Sequence, residues 1–196
     1  MNIRLAVLLV LAALASCAAR PPAPARGPEI FDEQTASSLL VVAHPLVFAR
    51  TRSDVAAHAH DFATFVAVEV DNSGRNSDYL LLYRWSTVDP RFSPPPAPES
   101  GEALIIADGR VIHLQPLERL PVSLDRRREL HVPEHGEIVA HAYKVDTGLL
   151  QFIAASRELS VRMPKEQLDT PFALWGAQGA SGLHALGQFV LRTRPL

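Results

Sequence analysis

The stretch HDFATFVAVEVDN, residues 60 to 72, decides the class of fold. Its side chains alternate between two faces, and one face carries Phe62, Thr64, Val66, Val68 and Val70. This alternation is the period of a β-strand, because successive side chains of a strand point to opposite sides. The turn-forming stretch NSGRNS follows, and DYLLLYRWST, residues 78 to 87, is a suitable second strand. We predict a half-buried strand and its antiparallel hairpin partner.

Shorter segments extend this predicted sheet in both directions along the chain. SLLVVAHPLVFAR, residues 38 to 50, is rich in β-branched residues, and Pro45 divides it into two short edge segments because proline cannot donate a ladder hydrogen bond. EALIIA and RVIHLQPL are joined by Asp108-Gly109, the dipeptide that a type I′ hairpin turn prefers. EIVAHAYKV, residues 137 to 145, predicts a further strand.

The period changes in the last third of the chain. DTGLLQFIAASR has apolar residues at helical spacing and a plausible N-cap at Asp146. ELSVRMP and PFALWGA predict short strands, and SGLHALGQFVLRTR predicts a C-terminal helix that Ser181 could cap. The sequence thus predicts an α+β fold that is mostly antiparallel β-sheet, with a helix after about residue 146 and a C-terminal helix.

The N-terminus has the pattern of an export signal. MNIRLAVLLVLAALAS places Arg4 before an apolar run from Leu5 to Leu14 and two small residues. The run is about half of the ~20 apolar residues that a transmembrane helix needs. LASC, residues 14 to 17, resembles the bacterial lipoprotein box, in which the cysteine becomes the first residue and carries the lipid.

This resemblance implies lipidation of Cys17. The family's modification carries several acyl chains, and more than one chain is needed for stable anchoring. Ala18, rather than Asp, follows the cysteine, which in this family implies the outer membrane, with the folded part in the periplasm. Cys17 is the only cysteine, so an intramolecular disulfide is excluded.

The composition divides the chain into three parts. Residues 1–16 are the predicted signal peptide, and residues 17–35 are a Pro- and Ala-rich segment with too few large apolar groups to offset its ordering entropy. We predict that this segment is a flexible tether and that residues 36–196 form one globular domain. The formal net charge is −2, and the densest basic run, DRRREL, is flanked by acidic residues. We therefore expect no nucleic-acid partner.

Two motifs raise the question of enzyme chemistry. HVPEH, residues 131 to 135, has the letters of a zinc-peptidase motif, but that motif requires a helix and Pro133 favours a turn. His58 and His60 could share one face of a strand and hold a metal with a third ligand from elsewhere. GASGL, residues 179 to 183, departs from the nucleophile elbow at Leu183. We predict neither a metal site nor a cofactor.

The aromatic residues Tyr79, Tyr83 and Trp85 alternate along the second strand of the hairpin. Such a stripe packs in a core or lines a groove for a glycan or a peptide. Trp85 stands just before the Pro-rich stretch DPRFSPPPAPESG. We therefore take Tyr83 and Trp85 as the candidate binding residues.

Three classes of function remain open from the sequence. The first is a membrane-anchored envelope lipoprotein with a non-enzymatic binding or structural role, whose partner is an envelope protein or a glycan. The second is a pocket protein for an apolar or sugar ligand, and the third is a metal-dependent enzyme that uses His58 and His60. A solvent-facing aromatic patch would favour the first, an enclosed apolar cavity the second, and converging histidines the third.

Overall fold

The computed structural model describes residues 27–56, 58–88, 101–124, 128–134, 138–164 and 170–193. Across these residues, ten strands form one antiparallel sheet and two α-helices follow its later strands, which confirms the predicted α+β fold. The strands are β1 (Glu29–Asp32), β2 (Ser37–Val41), β3 (Leu46–Thr51), β4 (His60–Asn72), β5 (Arg75–Ser86), β6 (Ala103–Ala107), β7 (Arg110–Leu114), β8 (Val139–Val145), β9 (Leu159–Arg162) and β10 (Phe172–Leu174). The helices are α1 (Thr147–Ala155) and α2 (Gly176–Thr193), and short 3₁₀ turns lie at Val122–Leu124 and Arg128–Leu130.

The predicted central hairpin is confirmed as β4 and β5, which pair from Asp61 opposite Ser86 to Asn72 opposite Arg75. Its turn has positive φ angles of 55° and 85° at Ser73 and Gly74, as a type I′ turn requires. The prediction that β4 is half-buried is wrong, because every residue from 61 to 68 is buried. The alternation between large and small apolar residues is compatible with a strand buried on one face and with a strand buried on both. The second face is buried because parts of the chain distant in sequence cover it.

The two segments around Pro45 are interior strands, so the prediction of edge strands is wrong. Both pair with β4 on the side away from β5, with Val41 opposite Val68 and Leu46 opposite Phe65. On their other sides, β2 pairs with β1 and β3 pairs with β10. Pro45 is tolerated because it lies in the break between the two strands, where no ladder hydrogen bond is required of it.

The sheet curves until its distant parts meet. From β3 it continues through β10, β9 and β6 to β7, while β8 pairs with β5 at the other end. The Leu117 amide, just beyond β7, donates to the Ala142 carbonyl of β8 at 2.8 Å. The Tyr143 hydroxyl donates to the Gly101 carbonyl, just before β6, at 2.6 Å. One large core cluster therefore includes residues from most strands and from both helices.

Regular secondary structure is already present before the predicted boundary at residue 36. Strand β1 lies within the segment predicted as a tether and pairs along its length with β2. The tether prediction is thus wrong for Glu29–Asp32, which gain a partner strand that their own composition does not reveal. The signal segment, Cys17 and the remaining tether up to residue 26 lie outside the described residues.

The two helices follow the predicted order. The start of α1 was predicted correctly, and the start of α2 was not. The Asp146 carboxylate caps α1 by accepting from the Leu149 amide at 2.7 Å, as predicted. Helix α2 begins at Gly176, so Ser181 lies inside it and the predicted cap is wrong. A Cβ atom at Gly182 would overlap the Pro45 carbonyl oxygen, which shows how closely α2 approaches the start of β3. Among the described residues, neither helix is long and apolar enough to span a membrane.

Candidate functional site

Four rings form an aromatic patch on one face of the sheet: His60, Phe62, Trp85 and Trp175. Phe62 and Trp85 are cross-strand partners, and their rings stack with centroids 4.1 Å apart and planes at 9°. Trp175 meets Phe62 edge to face at 5.6 Å and lies 4.9 Å from the His60 ring. His60 and Phe62 share a face because they are two residues apart on β4.

Hydrogen bonds hold the indole of Trp85 and the backbone of Trp175 in the aromatic patch. Trp85 Nε1 donates to Thr64 Oγ1 at 3.2 Å, and the backbone amide of Trp175 donates to the Val47 carbonyl at 2.8 Å. Phe62 is only 7% exposed and packs with Val47 and Ala49. Trp175 is 38% exposed and Trp85 is half-buried. The aromatic patch therefore has a buried base and a partly exposed indole surface.

A second surface feature, the β3 groove, adjoins the aromatic patch. It lies between the N-terminal part of α2 and the break before β3, and has a volume of about 380 Å³. It is lined by His44, Pro45, Val47, Ala177, Gln178 and Ser181. Val47 belongs both to this groove and to the base of the aromatic patch. Hydrogen-bonding side chains are thus placed next to an exposed aromatic surface.

A buried charged cluster, formed by Arg50, Arg52 and Asp61, lies on the opposite face of the same strand ends. Arg50 Nη2 donates to Asp61 Oδ2 at 2.9 Å, and Arg52 Nη1 lies 3.4 Å from the same oxygen. Ser86 Oγ donates to Asp61 Oδ1 at 2.9 Å. The hydrogen bond to the exposed Asp54 and the charge of Asp61 raise the pKa of Arg52 against the opposing effect of burial. This cluster connects β3, β4 and β5 behind the aromatic patch.

Two carboxylates face each other near the other end of the central hairpin, where Glu69 pairs with Asp78. Thr147 Oγ1 donates to Asp78 Oδ2 at 2.6 Å, while Asp78 Oδ1 has no hydrogen-bond partner within the described part of the chain. Burial raises the pKa of Asp78, and burial together with the charge of Asp78 raises the pKa of Glu69. Ionisation of these two groups therefore opposes folding.

The two predicted binding residues have different surroundings. Trp85 belongs to the aromatic patch, whereas Tyr83 is 3% exposed and offers almost no surface to a ligand. The aromatic role of His60, Phe62 and Trp175 was not predicted from the sequence. Periodicity along β4 places His60 beside Phe62, but only the pairing of β10 with β3 brings Trp175 to them.

His58 and His60, the pair considered as an alternative metal site, do not lie on one strand. His58 lies in a turn before β4, and His60 Nδ1 donates to the His58 carbonyl at 3.0 Å. Within the described ranges, no group of three His, Cys, Asp or Glu side chains is close enough to hold a metal ion. His131 has a φ of 54° in a turn and its Nε2 donates to the Val42 carbonyl at 2.8 Å. His135 lies outside the described residues.

Comparison of the chain with protein-family models, with curated proteins and with solved structures found no match.

Proposed function

We propose that this protein is an outer-membrane-anchored lipoprotein of the cell envelope with a non-enzymatic binding role, and that the aromatic patch is its ligand surface. The observation that carries this proposal is the pair of indoles, Trp85 and Trp175, held at the surface by a buried aromatic base. Large aromatic side chains at a surface contribute much of the affinity in recognition sites because they bring a large rigid contact area.

A glycan is the ligand class that best fits this surface. The C–H faces of a sugar ring are apolar and stack on an indole, while the hydroxyl groups at its edge need hydrogen-bonding partners. The aromatic patch supplies the first contact, and His44, Gln178 and Ser181, the hydrogen-bonding side chains of the β3 groove, supply partners for the second. The predicted export of the chain would place the aromatic patch among envelope glycans.

Binding is tested with Trp175→Ala. The wild-type lipoprotein in detergent is expected to sediment with purified peptidoglycan sacculi, and loss of this indole is expected to weaken binding about 5- to 30-fold, which corresponds to 1–2 kcal/mol. The matched control is Phe31→Ala, which removes an aromatic ring that is 63% exposed on β1. Equal binding by the two variants, or no binding by the wild type, would exclude the aromatic patch as a glycan site.

Anchoring is tested at Cys17. We expect wild-type protein to incorporate a fatty-acid analogue and to fractionate with membranes, and Cys17→Ser to do neither. The reason is that LASC follows a short apolar run and that the chain has no second cysteine to carry a lipid. A wild type that is unlabelled and soluble in the periplasm would disprove the lipid anchor.

A further inference from the structure

A second concave surface, the helix groove, lies between α1 and α2. Its volume is about 640 Å³, within the range of small-molecule sites, which is roughly 300–1,000 Å³. Small and apolar side chains dominate its lining, among them Ala154, Ala155, Ala180, Leu183, Gly187 and Leu191. Leu191 at its rim is 61% exposed. The helix groove is on a different face of α2 from the β3 groove beside the aromatic patch.

The helices that form the helix groove are nearly free of charge. The nine residues of α1 and the eighteen of α2 include a single Asp, Glu, Lys or Arg, namely Arg192. In the whole chain, 20% of residues are charged. A solvated helix surface normally carries charged side chains on its exposed face, so this composition favours an apolar occupant.

The start of the described chain lies beside the helix groove. Gly27 lines a small cavity together with Gln188 and Arg192 of α2, and Gln188 also lines the helix groove. Cys17 precedes Gly27 by ten positions, and ten residues span at most roughly 35 Å. A lipid on Cys17 would therefore keep Gly27, which lies beside the helix groove, within this distance of the bilayer surface.

We propose that the helix groove binds an acyl chain of a bilayer phospholipid. The proposal rests on the proposed membrane anchor for the proximity of the lipid. An acyl chain fits because it needs apolar contact, which most of the lining supplies; Gln151, His184 and Gln188 are the polar members of the lining.

Gly187 allows the helix groove to be blocked without disturbing the core. A Cβ atom at Gly187 would meet no atom within 4 Å, so Gly187→Trp is expected to fill the helix groove and Gly187→Ala to leave it open. The mature chain, which on the proposed processing begins at residue 17, is prepared with Cys17→Ser so that no anchor lipid competes. Circular dichroism and a thermal melt check that the Trp and Ala variants are equally folded.

The probe is phosphatidylcholine with a nitroxide on its acyl chain, presented in phosphatidylcholine vesicles. In the Cys17→Ser chain, which retains Gly187, we expect paramagnetic broadening of the NMR signals from Ala154, Gly187 and Leu191. In the folded Gly187→Trp variant we expect at least a five-fold loss of binding. Equal binding by the Trp and Ala variants, or broadening centred elsewhere, would overturn the proposal. A lipid-free dimer that the Trp variant abolishes would overturn it in favour of a second copy as occupant.

A second measurement separates the bilayer lipid from the protein's own anchor. Lipidated wild type in the same vesicles is expected to show the same broadening at the helix groove. If only the Cys17→Ser chain binds the labelled phospholipid, the anchor's own acyl chain occupies the helix groove and the bilayer source is wrong. Because the Cys17→Ser chain needs no anchor to bind, failure of the lipidation test would not change its result.

Discussion

Replacement of Asp61 by Asn tests whether the buried charged cluster stabilises the strand ends that carry the aromatic patch. Asp61 is 2% exposed. It accepts hydrogen bonds from Arg50 Nη2 and Ser86 Oγ, each at 2.9 Å, and lies 3.4 Å from Arg52 Nη1. Asn keeps the shape of the side chain and one accepting oxygen but removes the negative charge between two buried guanidinium groups.

The expected loss of stability follows from this burial. Removal of one partner from a buried ion pair costs about 3–5 kcal/mol. Because Asn retains one acceptor, we expect about 3 kcal/mol, near the lower limit. In a domain of this size each kcal/mol shifts the melting temperature by about 2–4 °C, so the variant should melt roughly 6–12 °C below wild type. Differential scanning calorimetry at pH 7 measures the difference.

Asp54→Asn is the matched control, because Asp54 binds Arg52 Nη2 at 2.8 Å but its side chain is 52% exposed. Solvent screens an exposed pair, so this variant should melt close to wild type. The same loss in both variants would show that burial does not determine the strength of these pairs. An Asp61→Asn variant that melts like wild type would refute the stabilising role of the charged cluster.

Two further predictions concern packing and pH. Gly182→Ala should be destabilising because its Cβ would overlap the Pro45 carbonyl oxygen. Gly187→Ala should stabilise the protein by about 0.5–1 kcal/mol, because the space around its Cβ is open. Equal urea midpoints for the two variants would contradict the close approach of α2 to β3. Burial raises the pKa of Asp78, so the ionised carboxylate destabilises the folded protein above the folded-state pKa. This penalty is relieved as the pH falls towards the ordinary carboxyl pKa. Asp78→Asn should therefore raise the melting temperature more at pH 7.5 than near pH 4, and an equal rise at both would disprove the penalty.

The features that the sequence alone determined depend on contacts between near neighbours. The type I′ turn at Asp108-Gly109 has the positive φ angles of 47° and 80° that this dipeptide favours. Asp146 caps α1 through an amide three residues away. The period of two along β4 and β5 produced the central hairpin. The lipoprotein signal at Cys17 is also a local pattern, and it stays a prediction.

The features that only the tertiary structure decided depend on contacts between distant residues. Local composition favoured edge strands around Pro45 and a tether over Glu29–Asp32, yet both segments gained partner strands. Helix α2 starts before Ser181 because its glycines allow close packing on β3. The aromatic patch exists because β10, by pairing with β3, brings Trp175 to Phe62. Chain periodicity carries no information on which distant strands pair, because that choice is made by the free energy of the whole packed core.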